Sequence, residues 1–179
     1  MSEERQPQQK NMTEEAFSAW FEMLYTRYAD DVLRVSYFYL GDRGKAEDVC
    51  HDAFLSLFQH RPELKEGSEK SWLMKVALNR CRDIWRSAWM RRVISGSPMF
   101  EMIPGPDTIG QRMEKQEIMA AVNSLPPDFR EIFILHYYQG YGISEIAEIA
   151  GVAEGTVSSR LSRGRKRLEK ILGEGSEQA

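Results

Sequence analysis

The sequence predicts an all-α protein: two small helical domains joined by a flexible linker, the C-terminal one a helix-turn-helix. Two observations carry this. Ala46, Val49, Cys50, Ala53, Phe54, Leu57 and Phe58 recur at the i, i+3, i+4, i+7 spacing of one buried helical face. That character stops between Ser95 and Gln111, where Gly96, Pro98, Pro104, Gly105, Pro106 and Gly110 forbid continuous helix and mark an interdomain linker. The boundaries that follow are residues 13–93 for the first domain, 94–112 for the linker and 113–173 for the second.

In chain order, Thr13 caps a first helix that runs to about Leu40, and Gly41-Asp42-Arg43-Gly44 breaks it. The periodic segment from Ala46 is the second helix. Arg61 to Glu69 is a polar loop with Pro62 and Gly67 as breakers, and Lys70 to about Arg92 is a third helix with Trp72, Leu73, Val76, Ala77, Ile84 and Trp85 as apolar positions. Helix resumes near Met113. Pro126-Pro127 ends that helix and starts another, Asp128 to Gln139, and Gly140 and Gly142 punctuate before the last two.

Those last two helices form the helix-turn-helix. Ser144 is a natural N-cap, Ile146 and Ala150 face the core, and small Ala147 lets a second helix cross closely. Gly151 supplies the left-handed residue that ends a helix sharply, and Val152 plugs the turn. The final helix buries Val157, Leu161 and Leu168. At about 100° per residue, Ser159, Ser162, Arg163 and Lys166 then lie opposite the buried stripe, with Arg160 and Arg167 on its flank. Serines and arginines on such a face suit groove and phosphate contacts with duplex DNA.

Charge sharpens the picture. The net charge is −3, an unpromising value for a nucleic-acid binder, but it is unevenly spread. Arg160, Arg163, Arg165, Lys166, Arg167 and Lys170 face a single acid, Glu169; Arg80, Arg82, Arg86, Arg91 and Arg92 face only Asp83. Acid collects instead at Glu14–Glu15, Asp30–Asp31 and Glu47–Asp52. Two basic patches on an acidic chain imply two nucleic-acid contacts and a surface for another partner. Basic residues interleaved with Trp72, Trp85 and Trp89 on the third helix fit single-stranded DNA, although Trp72 and Trp85 occupy apolar positions and read as core.

The segments Ala46-Glu-Asp-Val-Cys-His-Asp-Ala-Phe54, Ser71-Trp-Leu73 and Asn79-Arg-Cys-Arg-Asp83 resemble the first conserved domain of bacterial sigma factors, in the extracytoplasmic-function group of the sigma-70 family. Leu125-Pro-Pro-Asp-Phe-Arg130, Gly155-Thr-Val-Ser-Ser-Arg160 and Arg163-Gly-Arg165 resemble that group's second domain. The likeness spans about Ala16 to Leu172 and includes the order and spacing of both domains. It implies an alternative sigma factor that binds core RNA polymerase, directs it to promoter DNA and assists melting, and that an anti-sigma factor holds inactive.

The resemblance also implies roles for residues. Asp48, His51, Asp52 and Leu55 project from the second helix where the family docks on the polymerase clamp helices; the family usually has Gln in place of His51. Lys65, Lys70, Asn79, Arg80, Arg82, Asp83 and Arg86 fall where the family handles the melted strand of the −10 element. Thr156, Ser158, Ser159, Arg160, Ser162, Arg163, Lys166 and Arg167 fall where it reads the −35 duplex; Ser158 replaces the family's usual Lys or Arg, implying a different promoter preference. The linker, with Glu101 and Asp107, corresponds to the family segment that threads the polymerase cleft.

No enzyme signature is present: no Walker loop, nucleophile elbow or dinucleotide fingerprint, so no catalytic residue, cofactor or small-molecule substrate is expected. Cys50-His51 lacks a second pair at zinc-like spacing, and Cys50 falls on the buried stripe as a small hydrophobe; no metal is expected. His60 and His136 are isolated. No run of about 18 apolar residues suggests membrane insertion, Met1 to Lys10 lacks a signal-like apolar region, and two cysteines suit a reducing compartment, so the expected location is the cytoplasm. The competing readings are a helix-turn-helix transcription regulator that is not a polymerase subunit, and a recombinase-like enzyme, for which no catalytic constellation can be placed.

Overall fold

The computed structural model describes residues 12–95, 118 and 120–176, with side chains described through 88 and from 120 to 173. The linker from residue 96, with Glu101 and Asp107, lies outside the described residues, as do the side chains of Trp89, Arg91 and Arg92.

Helix α1 spans Glu14–Leu40. Thr13 caps it, its hydroxyl accepting from the Ala16 N–H at 3.2 Å, and Gly41 ends it in the left-handed region at φ 66°. Helix α2, Arg43–His60, starts immediately, because the Asp42 carboxylate accepts the Lys45 N–H at 3.0 Å. The expected break is therefore two residues wide, Gly41 and Asp42, and Gly44 lies inside the helix. Helix α3 covers Glu69–Ser95.

The three helices meet along apolar stripes. On α2, Ala46, Val49, Cys50, Ala53, Phe54 and Leu57 are buried as the periodicity predicts. Phe58 is not. It is 48% exposed at the end of the stripe, against Phe17 and Phe21 of α1. On α3 the deepest residues are Leu73, Met74, Ala77, Leu78 and Cys81, while Trp72, Val76, Ile84 and Trp85 are half-buried on the flank. Both cysteines are buried free thiols, and burial pushes Cys50 up to about 11 and Cys81 up to about 12, away from thiolate reactivity.

The second half begins with helical residues 120–124 and turns at Pro126. Helix α4, Pro127–Phe133, passes into a π-turn at Ile134–Tyr138, so the helix expected to reach Gln139 widens in its last turn. The His136 ring nitrogen Nδ1 lies 3.0 Å from the Tyr141 carbonyl and ties that turn to the chain beyond Gly140. Helix α5 is Ile143–Ala150 and helix α6 is Glu154–Ser176. Ser144 does not cap α5. The cap is Gly142, whose N–H donates to the Glu145 carboxylate at 2.8 Å, and Ser144 sits exposed in the first turn. Ile149 joins Ile146 in the core, and the expected Ala150 is only half-buried.

Gly151 ends α5 in the left-handed region at φ 69°, and Val152 packs against the core beneath the turn. On α6 the buried stripe is Val157, Leu161, Gly164 and Leu168, the last of them half-buried. Gly164 sits where a Cβ would come within 2.4 Å of Cε2 of Phe133, so α6 crosses α4 at a distance only glycine permits.

The two helical groups share one core. Arg130, 8% exposed, sends its guanidinium to the carbonyls of Asn123 and Leu125 beside it and of Tyr39 at the end of α1. Arg82 of α3 bonds Glu131 of α4, Phe38 meets Tyr138 edge-on at 4.4 Å, and α3 lies against α5. No helix among the described residues is long and apolar enough to cross a membrane.

Candidate nucleic-acid interface

On α6, burying Val157, Leu161 and Gly164 turns the remaining face outward. Ser158, Ser162, Arg163, Lys166 and Arg167 are exposed there, and Thr156 and Ser159 lie half-buried beside them. Arg163 is oriented before any ligand arrives: its Nη2 donates to the Ser159 hydroxyl at 3.0 Å and its Nε to the Ser159 carbonyl at 3.3 Å. Ser159 in turn donates to the Thr156 carbonyl at 3.0 Å. Arg160 is turned away. Its Nη2 bonds Asp128 of α4 at 2.9 Å, and Arg167 lies over the Phe129 ring at 4.7 Å. The sequence-based set thus divides into residues that point at solvent and two arginines that also brace α6 against α4.

On α3, Lys70, Arg80, Arg82 and Arg86 are each paired with an acid. Arg80 bonds Asp52 of α2 at 3.0 Å, and Lys70 bonds Asp31 of α1 at 2.7 Å with the Tyr141 ring 6.0 Å away. Arg86 lies 3.7 Å from Asp83 one turn earlier. Arg82 takes both oxygens of Glu131, Nε to Oε2 at 2.8 Å and Nη2 to Oε1 at 2.6 Å, and Nη1 donates to Asn79 at 2.8 Å. Burial pushes the Glu131 carboxyl above its usual range while the Arg82 bonds pull it back. Lys65 stands exposed in the loop before α3.

The polymerase-facing set on α2 is a third surface. Asp48, His51 and Leu55 are exposed and Asp52 is half-buried. Two shallow grooves flank it. One, about 350 Å³, is lined by Asp52, Leu55, Asn79, Arg80 and neighbours; the other, about 490 Å³, by Tyr25, Leu33, Asp48, His51 and neighbours. Among the described residues no group of three or more His, Cys, Asp or Glu is placed to hold a metal ion.

Sequence reasoning missed the acids that hold these cations. Asp31 and Asp52 belong to acidic runs visible in the sequence, but Asp128 and Glu131 lie in a hydrophobic stretch whose pattern gives no hint that they face α6 and α3.

With helices as the regular secondary structure of its described residues, one basic helix in each half and an acidic face between, the chain has the form of a two-domain DNA-binding protein. Its sequence matches the Sigma-70 region 2 family over residues 24–91 and the Sigma-70 region 4 family over residues 115–168. It is 31% identical over 166 residues to the ECF RNA polymerase sigma factor SigL of Mycobacterium tuberculosis, covering 89% of this chain and 92% of that one. It is 29% identical to SigE of Mycolicibacterium smegmatis over 88% of this chain, which spans 63% of that relative's length. The fold is similar to that of the sigma factor RpoE solved in complex with the anti-sigma factor NepR from Bartonella quintana, with TM-score 0.73, 26% identity, and coverage of 86% of this chain and 96% of that one. The chain belongs to the extracytoplasmic-function group of sigma-70 family sigma factors.

Proposed function

We propose that this protein is an alternative sigma factor that joins core RNA polymerase, carries it to a set of promoters and assists their melting. The observation that carries the reading is the order of its parts. A region 2 match ends in a basic helix, a region 4 match ends in a helix-turn-helix with an outward basic face, and both lie on one chain. The domain boundaries are 13–93 and 113–173, joined by 94–112. Asp48, His51, Asp52 and Leu55 contact core polymerase. Lys65, Lys70, Asn79, Arg80, Arg82, Asp83 and Arg86 line the path of the melted −10 strand, where cations meet phosphates. Thr156, Ser158, Ser159, Ser162, Arg163 and Lys166 address the −35 duplex, with Arg160 and Arg167 at its edge. The protein supplies binding and orientation; the polymerase does the chemistry. It acts in the cytoplasm, and an anti-sigma factor is its natural inhibitor.

Run-off transcription with core polymerase over a genomic promoter library tests the reading. The expected result is initiation at a subset of promoters that depends on this chain. Duplex binding by the free chain at palindromic sites, with no initiation from any promoter, overturns it in favour of an ordinary regulator.

A further inference from the structure

Arg61 holds a backbone conformation that arginine does not favour. Its φ of 40° and ψ of 59° lie in the left-handed region, and among the described residues it is the one non-glycine with positive φ. Helices α1 and α5 end in the same region on Gly41 and Gly151. Pro62 bars further helix, so α2 stops here whatever residue caps it. Glycine would end it without strain. An arginine at this point is explained by what its side chain holds.

The guanidinium grips the first turn of α1 in two ways. Nη1 donates to Glu14 Oε1 at 3.0 Å and Nη2 to Oε2 at 2.7 Å, a bidentate fork. Its central carbon Cζ lies over the buried Phe17 ring, 4.0 Å from the centroid. The Glu14 side chain is 82% exposed, so the pair adds little stability. What it fixes is the point and direction at which the chain leaves α2.

The segment that follows carries Lys65, and its far end is fixed too. The Ser68 N–H and hydroxyl both donate to the Lys65 carbonyl, at 3.0 and 2.7 Å, and Lys70 bonds Asp31 of α1 at 2.7 Å. Glu14 and Asp31 stand about 25 Å apart along α1 at the usual helical rise. The loop between α2 and α3 is thus strung along α1 between two ion pairs.

We propose that the Glu14–Arg61 clasp sets the course of residues 62–68 against the melted strand, and that Arg61 is a positioning residue for promoter discrimination. The proposal rests on the reading of α3 and the loop before it as the strand path. Freed from Glu14 and Phe17, the loop samples several courses, and only the fraction in the competent one accepts the strand. The polymerase-facing set, Asp48, His51, Asp52 and Leu55, lies earlier on α2 and does not involve the clasp.

The test separates a cap from a clasp. Arg61→Gly fits the left-handed backbone without strain, so the helix still ends there while the guanidinium is removed. Glu14→Gln leaves the arginine in place and removes the charge that it grips, at an exposed site. A spin label on Glu66→Cys, exposed in the loop, reports the loop's freedom; Cys50 and Cys81 are buried and leave labelling to the introduced thiol. Each chain is also assembled with core polymerase. Its affinity is measured for the −10 strand of a promoter recovered by run-off transcription, and for oligothymidine of equal length. Both variants are expected to show a more mobile label, unchanged core polymerase affinity and a lower ratio of the two strand affinities. The drop is roughly threefold to tenfold for Arg61→Gly, as for a loop competent a tenth to a third of the time, and smaller for Glu14→Gln.

A label no more mobile in either variant, or an unchanged affinity ratio, overturns the proposal. So does a ratio lost in Arg61→Gly and kept in Glu14→Gln, because the arginine then acts without its partner. Glu14→Gln decides alone if Arg61→Gly does not fold. The label needs no promoter, which keeps the two readings apart. A freed label with no initiation at any promoter removes the sigma reading and leaves the clasp's hold on the loop. Initiation by a chain whose variants keep both label and ratio removes the clasp alone.

Discussion

The two basic helices differ in what their cations are doing. On α6, Arg163 and Lys166 face solvent and Arg163 is pre-oriented by Ser159. On α3, Lys70, Arg80, Arg82 and Arg86 are each matched to an acid of the same chain. Similar composition thus yields two kinds of site. A face whose charges are free can bind as soon as a ligand arrives, and a face whose charges are satisfied must exchange partners first. The exchange is easy where the pair is exposed and hard where it is buried, so α3 itself is graded from Arg86 to Arg82.

The comparison assumes that α6 is a rigid reader, and its largest test is the glycine that seats it. Gly164→Ala places a methyl against the Phe133 ring at 2.4 Å. The expected loss is about 1–3 kcal/mol of stability, as for other overpacked cores, read as a lower denaturant midpoint. Phe133→Leu added to Gly164→Ala should recover part of it. A fully stable Gly164→Ala chain would mean that α6 is seated more loosely than the contact implies.

Next in size is the split between faces. Arg163→Ala should weaken promoter duplex binding by about 1–3 kcal/mol while leaving core polymerase affinity intact, and Asp48→Ala should do the reverse. Equal losses in both assays from both variants would erase the division. Smaller still is the effect of Ser158→Lys, which restores the cation usual in the family at an exposed position. One added phosphate contact should steepen the salt dependence of duplex binding by about 0.9 in the log–log slope. An unaltered slope would show that residue 158 points away from the backbone.

Much of this was legible in the sequence, and the exceptions have physical causes. The α2 stripe, the Thr13 cap and the Gly151 turn were readable because each depends on neighbours within about one helical turn. Phe58 was misassigned because a periodic pattern does not reveal where a partner helix ends. Ser144 is not the cap because the helix starts earlier, at Ile143, with the Gly142 N–H held by the Glu145 carboxylate, which places Ser144 inside the first turn. The outward face of α6 followed from helical angle alone. That Arg82 would be held by Glu131, 49 residues away, depends on how two domains dock, which no local rule encodes. Gly164 was passed over because it sits between arginines in a basic run, and its role becomes visible only when Phe133 is placed against it.

The smallest effect is the most diagnostic of the grading within α3. Asp52 and Arg80 form a pair in which both side chains are substantially exposed, 42% and 55%, so water and salt already screen it. Asp52→Ala and Arg80→Ala should each change stability by less than about 1 kcal/mol, with a coupling of about 0.2–1 kcal/mol in a double-mutant cycle that fades at high salt. Releasing Arg80 through Asp52→Ala should hardly alter strand binding by the free chain, because an exposed pair opens readily without help. Releasing Arg82 through Glu131→Gln should alter it several-fold. If the exposed pair proves as consequential for strand binding as the buried one, then burial is not what distinguishes the cations of α3, and the contrast with α6 lies in the number of acids nearby rather than in how deeply they are held.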